Sequence, residues 1–315
     1  MTAINTIRLS IIIPFYNVER FIARCLDSVY RQDIPEEEYE VICVDDCSPD
    51  DSISIVENYA ENHPNLKIVR NNVNRKLGGA RNAGMDVATG RYIWFIDSDD
   101  LIEDNVLGVL CSTAENEDLD VLHFNYENYP VKTPLHSIKT NELMAGPDLF
   151  FRKGIKWSRD LVTAWRKLYK RTFLTENRIA FAENIMYEDN DYAIMVFAKA
   201  NRVRHIDLVA YHYSINPDSI TRTGYSTEHI KYWFDLCRRL LAIKAKLFED
   251  KSDIRFQKTI DIFVRNEVNH IFEVYQSLNR DQKKAARSIM NKNLRKPFNS
   301  YLSRSKYYRF KLWMA

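Results

Sequence analysis

The chain has 315 residues, of which 45% are apolar and 28% charged, with 45 Lys and Arg against 43 Asp and Glu. These values suit one large domain or two modest ones, and they exclude a disordered chain, a collagen-like repeat and a small disulfide scaffold. The five cysteines have irregular spacings that favour a reducing compartment. No apolar stretch approaches the roughly 20 residues that span a bilayer, and Met1–Ser10 lacks a signal-peptide core. We therefore expect a cytoplasmic protein.

Charge is distributed unevenly along the chain. Residues 1–224 carry a net charge of −9, residues 225–315 carry +11, and no acidic residue follows Asp281. This asymmetry predicts that the two parts face different partners. We predict an α/β domain over residues 1–224 and a basic helical region over residues 225–315.

The first hundred residues alternate between strand and helix patterns. Leu9–Ile13 is an unbroken apolar run closed by Pro14, which is typical of a buried parallel strand. The alternation predicts a Rossmann-like, mostly parallel sheet with helices on both faces. The elements predicted after Leu9–Ile13 are, in order, helix Val18–Val29, strand Val41–Val44, helix Ser52–Asn62, strand Lys67–Arg70, helix Ala80–Ala88 and strand Tyr92–Ile96.

The pattern is more mixed after residue 118. Asp120–Tyr126 predicts a strand and Val203–Tyr213 predicts a pair of strands. From Ser226 onward, apolar residues recur at helical spacing, which predicts a C-terminal helical extension.

Polar segments follow three of the predicted strands, and ligands bind at the carboxyl ends of strands in this kind of sheet. The segments are Pro14–Asn17, Asp45–Asp51 and Asp97–Asp100. Carboxylates gathered at one edge repel each other unless a cation lies among them, and oxygen ligands without a thiolate favour Mg²⁺ or Mn²⁺. The alternative is that these residues cap helices, a role that suits Asp50 and Ser52.

A glycine-containing segment, Leu77–Gly84, precedes the fourth predicted strand. It has neither the glycine spacing of a dinucleotide fingerprint nor the Gly-Lys-Ser/Thr of a phosphate-binding loop. It predicts a helix with Arg81 on its first turn. Arg81 is a candidate for binding a base or a phosphate, and the alternative is that it neutralises the acidic clusters.

Four segments together resemble family-2 glycosyltransferases of the GT-A fold. They are Ser10-Ile-Ile-Ile-Pro-Phe-Tyr-Asn17, Val44-Asp-Asp-Cys-Ser-Pro-Asp50, Gly78-Gly-Ala-Arg-Asn-Ala-Gly84 and Tyr92-Ile-Trp-Phe-Ile-Asp-Ser-Asp-Asp100. The resemblance continues through Trp165–Arg171 and Met186–Asn190. It ends near Tyr211–Thr221, a segment similar to members that build bacterial surface polysaccharide such as capsule or lipopolysaccharide.

The resemblance implies a hexosyl transfer from a nucleotide sugar, most often a UDP-sugar, with inversion at the anomeric carbon. The nucleotide would lie on residues 1–118, with Pro14 and Tyr16 around the base and Asp46 and Arg81 at its polar edge. Asp97 would approach the ribose. The full set implied in nucleotide-sugar binding is Pro14, Tyr16, Asp45, Asp46, Arg81, Asp97 and Ser98. The family's usual glycine after the paired aspartates is here Cys47.

The same resemblance assigns the metal and the base. Asp99 would hold a divalent Mn²⁺ or Mg²⁺ that bridges the diphosphate, and His212 is a further metal candidate whose alternative is a buried structural histidine. Inversion by direct displacement needs one general base and no protein nucleophile. Asp189 is the candidate base, with Glu188 orienting it or touching the acceptor, which would lie on residues 119–224. The alternative for this pair is a solvated turn.

The basic C-terminal segment, residues 282–315, interleaves aromatic residues. Because this segment follows a predicted enzyme of glycan synthesis, the pattern indicates a peripheral contact with the anionic inner face of a membrane. The enzyme would bind a lipid-linked glycan acceptor there. The alternative is a solvated helix face, and no nucleic-acid partner is expected. Two other functions stay open: an inactive GT-A scaffold or binding protein, and a sugar nucleotidyltransferase.

Overall fold

The computed structural model describes residues 7–131, 141–150, 161–215, 225–247, 254–293 and 298–301. The chain divides into two compact units. The sheet unit comprises residues 1–149 and 162–216, and the helical unit comprises residues 150–161 and 217–315.

The first part of the sheet unit alternates strands and helices, as the sequence predicts. Its elements are β1 (Leu9–Phe15), α1 (Ile22–Val29), β2 (Tyr39–Asp45), α2 (Ser52–Asn62), β3 (Leu66–Arg70), α3 (Lys76–Val87), β4 (Tyr92–Phe95), β5 (Leu101–Ile102) and α4 (Leu107–Asn116). The elements that follow are β6 (Val121–Tyr129), β7 (Lys167–Lys170), α5 (Arg171–Glu176), α6 (Glu188–Lys199) and β8 (Val203–Ser214).

These strands form a sheet in the order β3-β2-β1-β4-β7-β6-β8-β5. The β1–β2, β1–β4, β2–β3 and β6–β8 pairs are parallel, whereas β4–β7, β6–β7 and β5–β8 are antiparallel. The mixed α/β class, with parallel pairing among β1, β2, β3 and β4, is confirmed. The antiparallel pairs join strands that lie far apart in the chain, such as β5 (Leu101–Ile102) and β8 (Val203–Ser214).

The core is built by the apolar runs that predicted the strands. Every residue of β1, β2 and β4 is buried, as expected for parallel strands covered on both faces. Trp94 of β4 packs edge-on against Phe124 of β6, with ring centroids 5.1 Å apart, and its indole nitrogen donates to the carbonyl of Trp165 at 2.7 Å. The core therefore extends from the parallel half into the antiparallel half.

Two predictions about elements are wrong. Val203–Tyr213 is not a pair of strands but part of the single 12-residue strand β8. β8 runs without a turn because it pairs with β6 along most of its length and with β5 near its end. Helix α3 begins at Lys76, earlier than predicted, so Arg81 lies in the second turn rather than the first.

The helical unit contains α7 (Thr227–Leu247), α8 (Ile254–Ser277) and α9 (Arg280–Asn293). The apolar stripes predicted for α7 and α8 are largely buried, including Trp233 and Phe263. Among the described residues, no helix combines the length and apolar character needed to cross a membrane.

Candidate active site

The carboxyl ends of β1, β2 and β4 lie side by side. The strand register pairs Phe15 with Asp45 and Ile12 with Phe95. The segments that follow these strands therefore leave the sheet at one edge, where ligands bind in open α/β sheets. All the residues implied in nucleotide binding before residue 100 follow or end these strands, except Arg81.

At the end of β2, the two aspartates are held by neutral donors. The Asp45 Oδ1 accepts from the backbone N–H of Ser48 at 2.8 Å. The Asp46 Oδ1 accepts from the Asn71 side-chain amide at 2.7 Å and from the backbone N–H of Arg75 at 2.9 Å. Both aspartates are buried. They are therefore fixed by loop geometry, with one carboxylate oxygen of each engaged in these bonds.

The end of β1 presents an aromatic ring beside this loop. Pro14 is buried within β1, whereas Tyr16 is 49% exposed immediately after the strand.

Cys47, which follows the paired aspartates, has a φ of 67°, in the left-handed region. A glycine adopts that conformation without a Cβ penalty, so the structure explains why a glycine suits this position and shows that Cys47 keeps the turn.

Arg81 reaches the same edge from α3, which lies unusually close to the sheet. A Cβ on Gly84 would lie 2.4 Å from Ile12 Cγ2, and one on Gly78 would lie 2.4 Å from the Ala182 carbonyl oxygen. Only small residues permit this approach. As a result, the Arg81 side chain is fully buried.

Three carboxylates surround the Arg81 guanidinium. Its Nη2 donates to Asp97 Oδ1 at 2.8 Å. Its Nη1 donates to Glu188 Oε1 at 3.0 Å and also to Asp189 Oδ1. The Phe181 ring lies 5.1 Å from the guanidinium carbon. We call Arg81, Asp97, Glu188 and Asp189 the arginine cluster.

Burial and charge oppose one another within the arginine cluster. Burial, with the Asp189 charge, raises the pKa of Glu188 to about 7, and Arg81 offsets part of the rise. Burial likewise raises the pKa of Asp97, against the lowering effect of Arg81. Burial would lower the pKa of Arg81, but the three carboxylates raise it above its usual value. Arg81 therefore stays charged, while Glu188 is about half protonated near neutral pH.

Asp189 is positioned by its helix and by two donors. It lies in the first turn of α6, where the helix dipole stabilises a carboxylate. Its Oδ1 accepts from Arg81, and its Oδ2 accepts from the backbone N–H of Ala164 at 3.2 Å. Its side chain is 21% exposed, against 8% for Glu188. Asp189 is thus the more accessible carboxylate of the pair.

Asp97–Asp100 forms a turn just beyond β4. The backbone N–H of Asp100 donates to the Asp97 carbonyl at 3.0 Å, which places Ser98 and Asp99 at the centre of the turn. From α1, Arg24 donates to the Asp99 carbonyl at 2.7 Å. Ser98 is buried and Asp99 is half-buried. The carboxylates of Asp97 and Asp99 are hard oxygen ligands that fit Mg²⁺ or Mn²⁺.

His212 has its own carboxylate neighbours. It lies on β8 opposite Leu101, with its Nε2 2.9 Å from Glu103 Oε2 and its Nδ1 3.2 Å from Glu127 Oε1. Ligand-type atoms of these three side chains lie within 4.8 Å of one another. The structure thus groups His212 with Glu103 and Glu127, two residues that the sequence analysis did not single out.

The structure brings Arg81, Asp97, Glu188 and Asp189 into direct contact, and it gives Asp45 and Asp46 a separate set of hydrogen bonds. Sequence reasoning missed the donors Asn71, Arg75 and Ala164, because two of them act through backbone N–H groups that any residue carries. A signal existed for Ala164, which directly precedes the Trp165–Arg171 motif.

This fold and this edge define the class of protein: a mixed α/β, GT-A-type architecture with acidic residues at the strand ends. The glycosyl transferase family 2 model matches residues 10–195. The chain belongs to that family.

Two curated relatives are similar to the family-matched part of the chain. The uncharacterized glycosyltransferase EpsJ of Bacillus subtilis is 32% identical over 230 residues, covering 70% of this chain and 66% of EpsJ. The poly(ribitol-phosphate) beta-N-acetylglucosaminyltransferase TarS of Staphylococcus aureus is 32% identical over 211 residues, covering 66% of this chain and 35% of TarS. The chain thus spans just under two thirds of EpsJ and about a third of TarS.

Solved structures share the fold. The S. aureus TarS 1–349 structure in complex with UDP-GlcNAc has a TM-score of 0.63 at 24% identity, covering 86% of this chain and 84% of that one. The mannosyltransferase PcManGT from Pyrobaculum calidifontis, in complex with GDP-Man and Mn²⁺, has a TM-score of 0.59 at 18% identity, covering 93% of this chain and 82% of that one.

Proposed function

We propose that the protein is an inverting glycosyltransferase that moves a sugar from a UDP-sugar to a hydroxyl of a glycan or lipid-linked glycan in bacterial surface polysaccharide synthesis. The arginine cluster carries this proposal, because one buried guanidinium joins the candidate ribose-binding Asp97 to the candidate base Asp189. The UDP-GlcNAc complex of TarS supports a uridine donor. The poly(ribitol-phosphate) transferase activity of that relative supports a surface glycan as the acceptor class.

The donor would lie across the ends of β1, β2 and β4. Tyr16 offers an exposed ring face for the base, with Pro14 in the strand behind it. Asp46, held by Asn71 and Arg75, presents a fixed acceptor to the polar edge of the base. Asp45 fixes the loop through Ser48. Asp97 would face the ribose and accepts a hydrogen bond from Arg81, whose own contact with the base stays a prediction.

Asp189 would act as the general base. It takes the proton of the acceptor hydroxyl while the acceptor oxygen bonds to the anomeric carbon and the bond from that carbon to the diphosphate breaks. One displacement of this kind inverts the configuration and requires no protein nucleophile. Arg81 and the backbone N–H of Ala164 orient the base, each through one oxygen of its carboxylate, and Glu188 accepts from the same Arg81 nitrogen. A base must release the captured proton, and the partial exposure of Asp189 provides that route.

Asp99, with Asp97 and Ser98 in the same turn, would hold Mn²⁺ or Mg²⁺, and His212 is a further candidate. When bound, a divalent cation offsets the charge that develops on the leaving diphosphate. The Mn²⁺ in the PcManGT complex supports the use of a divalent cation by this fold.

Calorimetric titration of the full chain with UDP, GDP and dTDP, each with and without Mn²⁺, tests the donor assignment. We expect Mn²⁺-dependent binding of UDP that Asp99→Ala abolishes. Asp104→Ala is the matched control, because Asp104 is an exposed aspartate five residues further on, paired with Arg31. Absence of nucleotide binding would favour an inactive scaffold, and turnover of a nucleoside triphosphate with a sugar phosphate would favour a nucleotidyltransferase.

The two carboxylates of α6 need separate variants. We expect Asp189→Asn to bind the donor normally and to lose about 10²- to 10⁴-fold in turnover, the range for a general base. Glu188→Gln should retain more turnover, because Glu188 is buried behind Asp189. Turnover is measured as nucleotide diphosphate release with a glycan acceptor. The reverse order of losses would make Glu188 the base.

The C-terminal region would contact an anionic membrane surface at the inner leaflet. In α9 the apolar Ala286 and Met290 are buried, whereas Lys284, Arg287 and Lys292 are exposed on the outer side. Phe298 is buried against Phe234, with ring centroids 5.7 Å apart. Residues 294–297 and 302–315 of the predicted basic segment lie outside the described part. Replacing the three exposed cations by glutamine should weaken salt-sensitive binding to vesicles containing phosphatidylglycerol, and unchanged binding would refute the contact.

A further inference from the structure

The turn that carries Asp99 is held from strand β8. Asp100 is buried, and its carboxylate accepts two hydrogen bonds from that strand. The Tyr211 hydroxyl donates to Asp100 Oδ2 at 2.6 Å, and the backbone N–H of Ser214 donates to Asp100 Oδ1 at 2.7 Å. Both oxygens of the Asp100 carboxylate are therefore engaged by β8.

The Tyr211 hydroxyl also contacts the other end of the turn. It accepts a hydrogen bond from the backbone N–H of Asp97 at 3.2 Å. Asp97 and Asp100 are the first and last residues of the turn, and Asp99 lies between them. One hydroxyl group thus bridges both ends of the segment that presents Asp99.

Tyr211 is itself rigid. Its ring is fully buried and stacks on Trp165, with centroids 4.3 Å apart and an interplanar angle of 18°. Tyr211 also lies opposite Ile102 in the β5–β8 ladder. A buried, stacked ring has few accessible rotamers, so its hydroxyl is a fixed reference point for the turn.

We propose that Tyr211 and Asp100 are positioning residues that hold the Asp97–Asp100 turn so that Asp99 meets the metal–diphosphate group. This inference rests on the proposed function, in which Asp99 holds the metal. It also gives a role to the tyrosine of the Tyr211–Thr221 motif. The hydroxyl is the active part of the side chain, because a phenylalanine ring would pack in the same place.

The competing explanation is that Tyr211 only fills the core. Tyr211→Phe separates the two explanations, and Tyr92→Phe is its matched control. Tyr92 lies at the opposite end of β4, is equally buried, and donates its hydroxyl to a backbone carbonyl, that of Ala114, at 2.7 Å. The two variants remove the same atom from similar surroundings, and only Tyr211 contacts the turn.

Two measurements on the full chain distinguish the explanations. The first is the Mn²⁺ concentration needed for UDP binding, which we expect Tyr211→Phe to raise at least about tenfold, because the hydroxyl makes two hydrogen bonds and the loss of one alone costs up to about that ratio. The second is hydrogen exchange of the segment 96–101, which should become about tenfold faster in Tyr211→Phe. Tyr92→Phe should lower the melting temperature similarly and change neither quantity. Asp100→Asn should reproduce the Tyr211→Phe result.

Failure of this inference differs from failure of the proposed function. If wild-type protein shows no metal-dependent nucleotide binding, the proposed function fails, and hydrogen exchange still reports whether Tyr211 holds the turn. If wild-type protein binds UDP with Mn²⁺ and Tyr211→Phe matches Tyr92→Phe in both measurements, the positioning role is refuted. Faster exchange with an unchanged Mn²⁺ requirement would also refute it, because the turn would then be held without consequence for the metal.

Discussion

The acidic residues at the end of β2 and those of the arginine cluster are stabilised in different ways. Asp45 and Asp46 accept hydrogen bonds from backbone and amide N–H groups, which are neutral. Asp97, Glu188 and Asp189 share one buried guanidinium. Neutral donors fix a carboxylate through loop geometry, whereas a shared cation makes each carboxylate depend on the charge of the others. The first arrangement suits a fixed recognition surface and the second suits proton transfer.

The difference predicts unequal sensitivity to substitution. Removing a neutral donor leaves one hydrogen bond unmade. Removing Arg81 leaves three carboxylates near one another without a counter-charge, in a site where burial already raises the pKa of Asp97 and Glu188. The predictions below test this contrast, beginning with the arginine.

Arg81→Leu should have the largest effect on stability. We expect the free energy of unfolding to fall by about 3–5 kcal/mol, the usual cost of breaking a buried ion pair by removing one partner. Urea unfolding at pH 7.5 measures it. Arg31→Leu is the control, because Arg31 forms an ion pair with Asp104 in which both side chains are about half exposed. The control should lose less than about 1 kcal/mol.

Measuring the unfolding free energy of the same two variants at several pH values tests whether charge causes the Arg81→Leu loss. Protonation of Glu188 at acidic pH removes one of the three charges that Arg81 balances, so the Arg81→Leu loss should be smaller at pH 5 than at pH 7.5. A loss independent of pH would show that packing of the arginine, and not its charge, stabilises the cluster.

Glu188 should have an intermediate effect on the free energy of unfolding, and its contribution should decrease as the pH rises. Its pKa rises from 4.5 to about 7 in the folded protein because of burial and the neighbouring Asp189. Raising an acid's pKa favours the folded state below the unfolded pKa, and this contribution is lost as the pH rises through the folded pKa. Relative to Glu188→Gln, wild-type stability should therefore fall by about 3 kcal/mol between pH 4.5 and pH 7.

Denaturant unfolding of both proteins across that pH range measures the difference. Glu183→Gln is the control, because Glu183 is a partly exposed glutamate whose pKa is lowered by hydrogen bonds from Arg75 and Asn82. Its contribution should change in the opposite direction, increasing as the pH rises. Parallel curves for wild type and Glu188→Gln would show that the pKa of Glu188 is the same in the folded and unfolded states, which would contradict the shift.

Much of the fold and part of the site could be predicted from the sequence because local patterns encode them. The buried runs at β1, β2 and β4 and the periodicity of α2 required no knowledge of distant contacts. Carboxylates after strands are equally visible. A two-residue strand such as β5 carries too few residues to show a pattern. The burial of β8 alternates irregularly because its register against β6 shifts at a bulge.

The partners of Arg81 could not be predicted in the same way. Arg81 and Asp189 are 108 positions apart, and the contact depends on how closely α3 approaches the sheet. The sequence showed the small residues that permit this approach, but an arginine among them is compatible with either a bound phosphate or an internal counter-charge. Only the three-dimensional arrangement shows that the three carboxylates come to Arg81.

Substitutions of Asp46 should cause the smallest loss of unfolding free energy, and they test the neutral-donor side of the comparison with the arginine cluster. Its Oδ1 accepts from Asn71 and Arg75, and an asparagine retains a carbonyl oxygen in that position. Asp46→Asn should therefore cost about 1 kcal/mol or less in unfolding free energy, whereas Asp46→Ala, which leaves two donors unmatched, should cost about 1–3 kcal/mol. Equal losses for the two variants would mean that the charge of Asp46 matters as much as its geometry. The end of β2 would then depend on charge as the arginine cluster does, and hydrogen bonds from neutral donors would not be enough to explain how Asp46 is held.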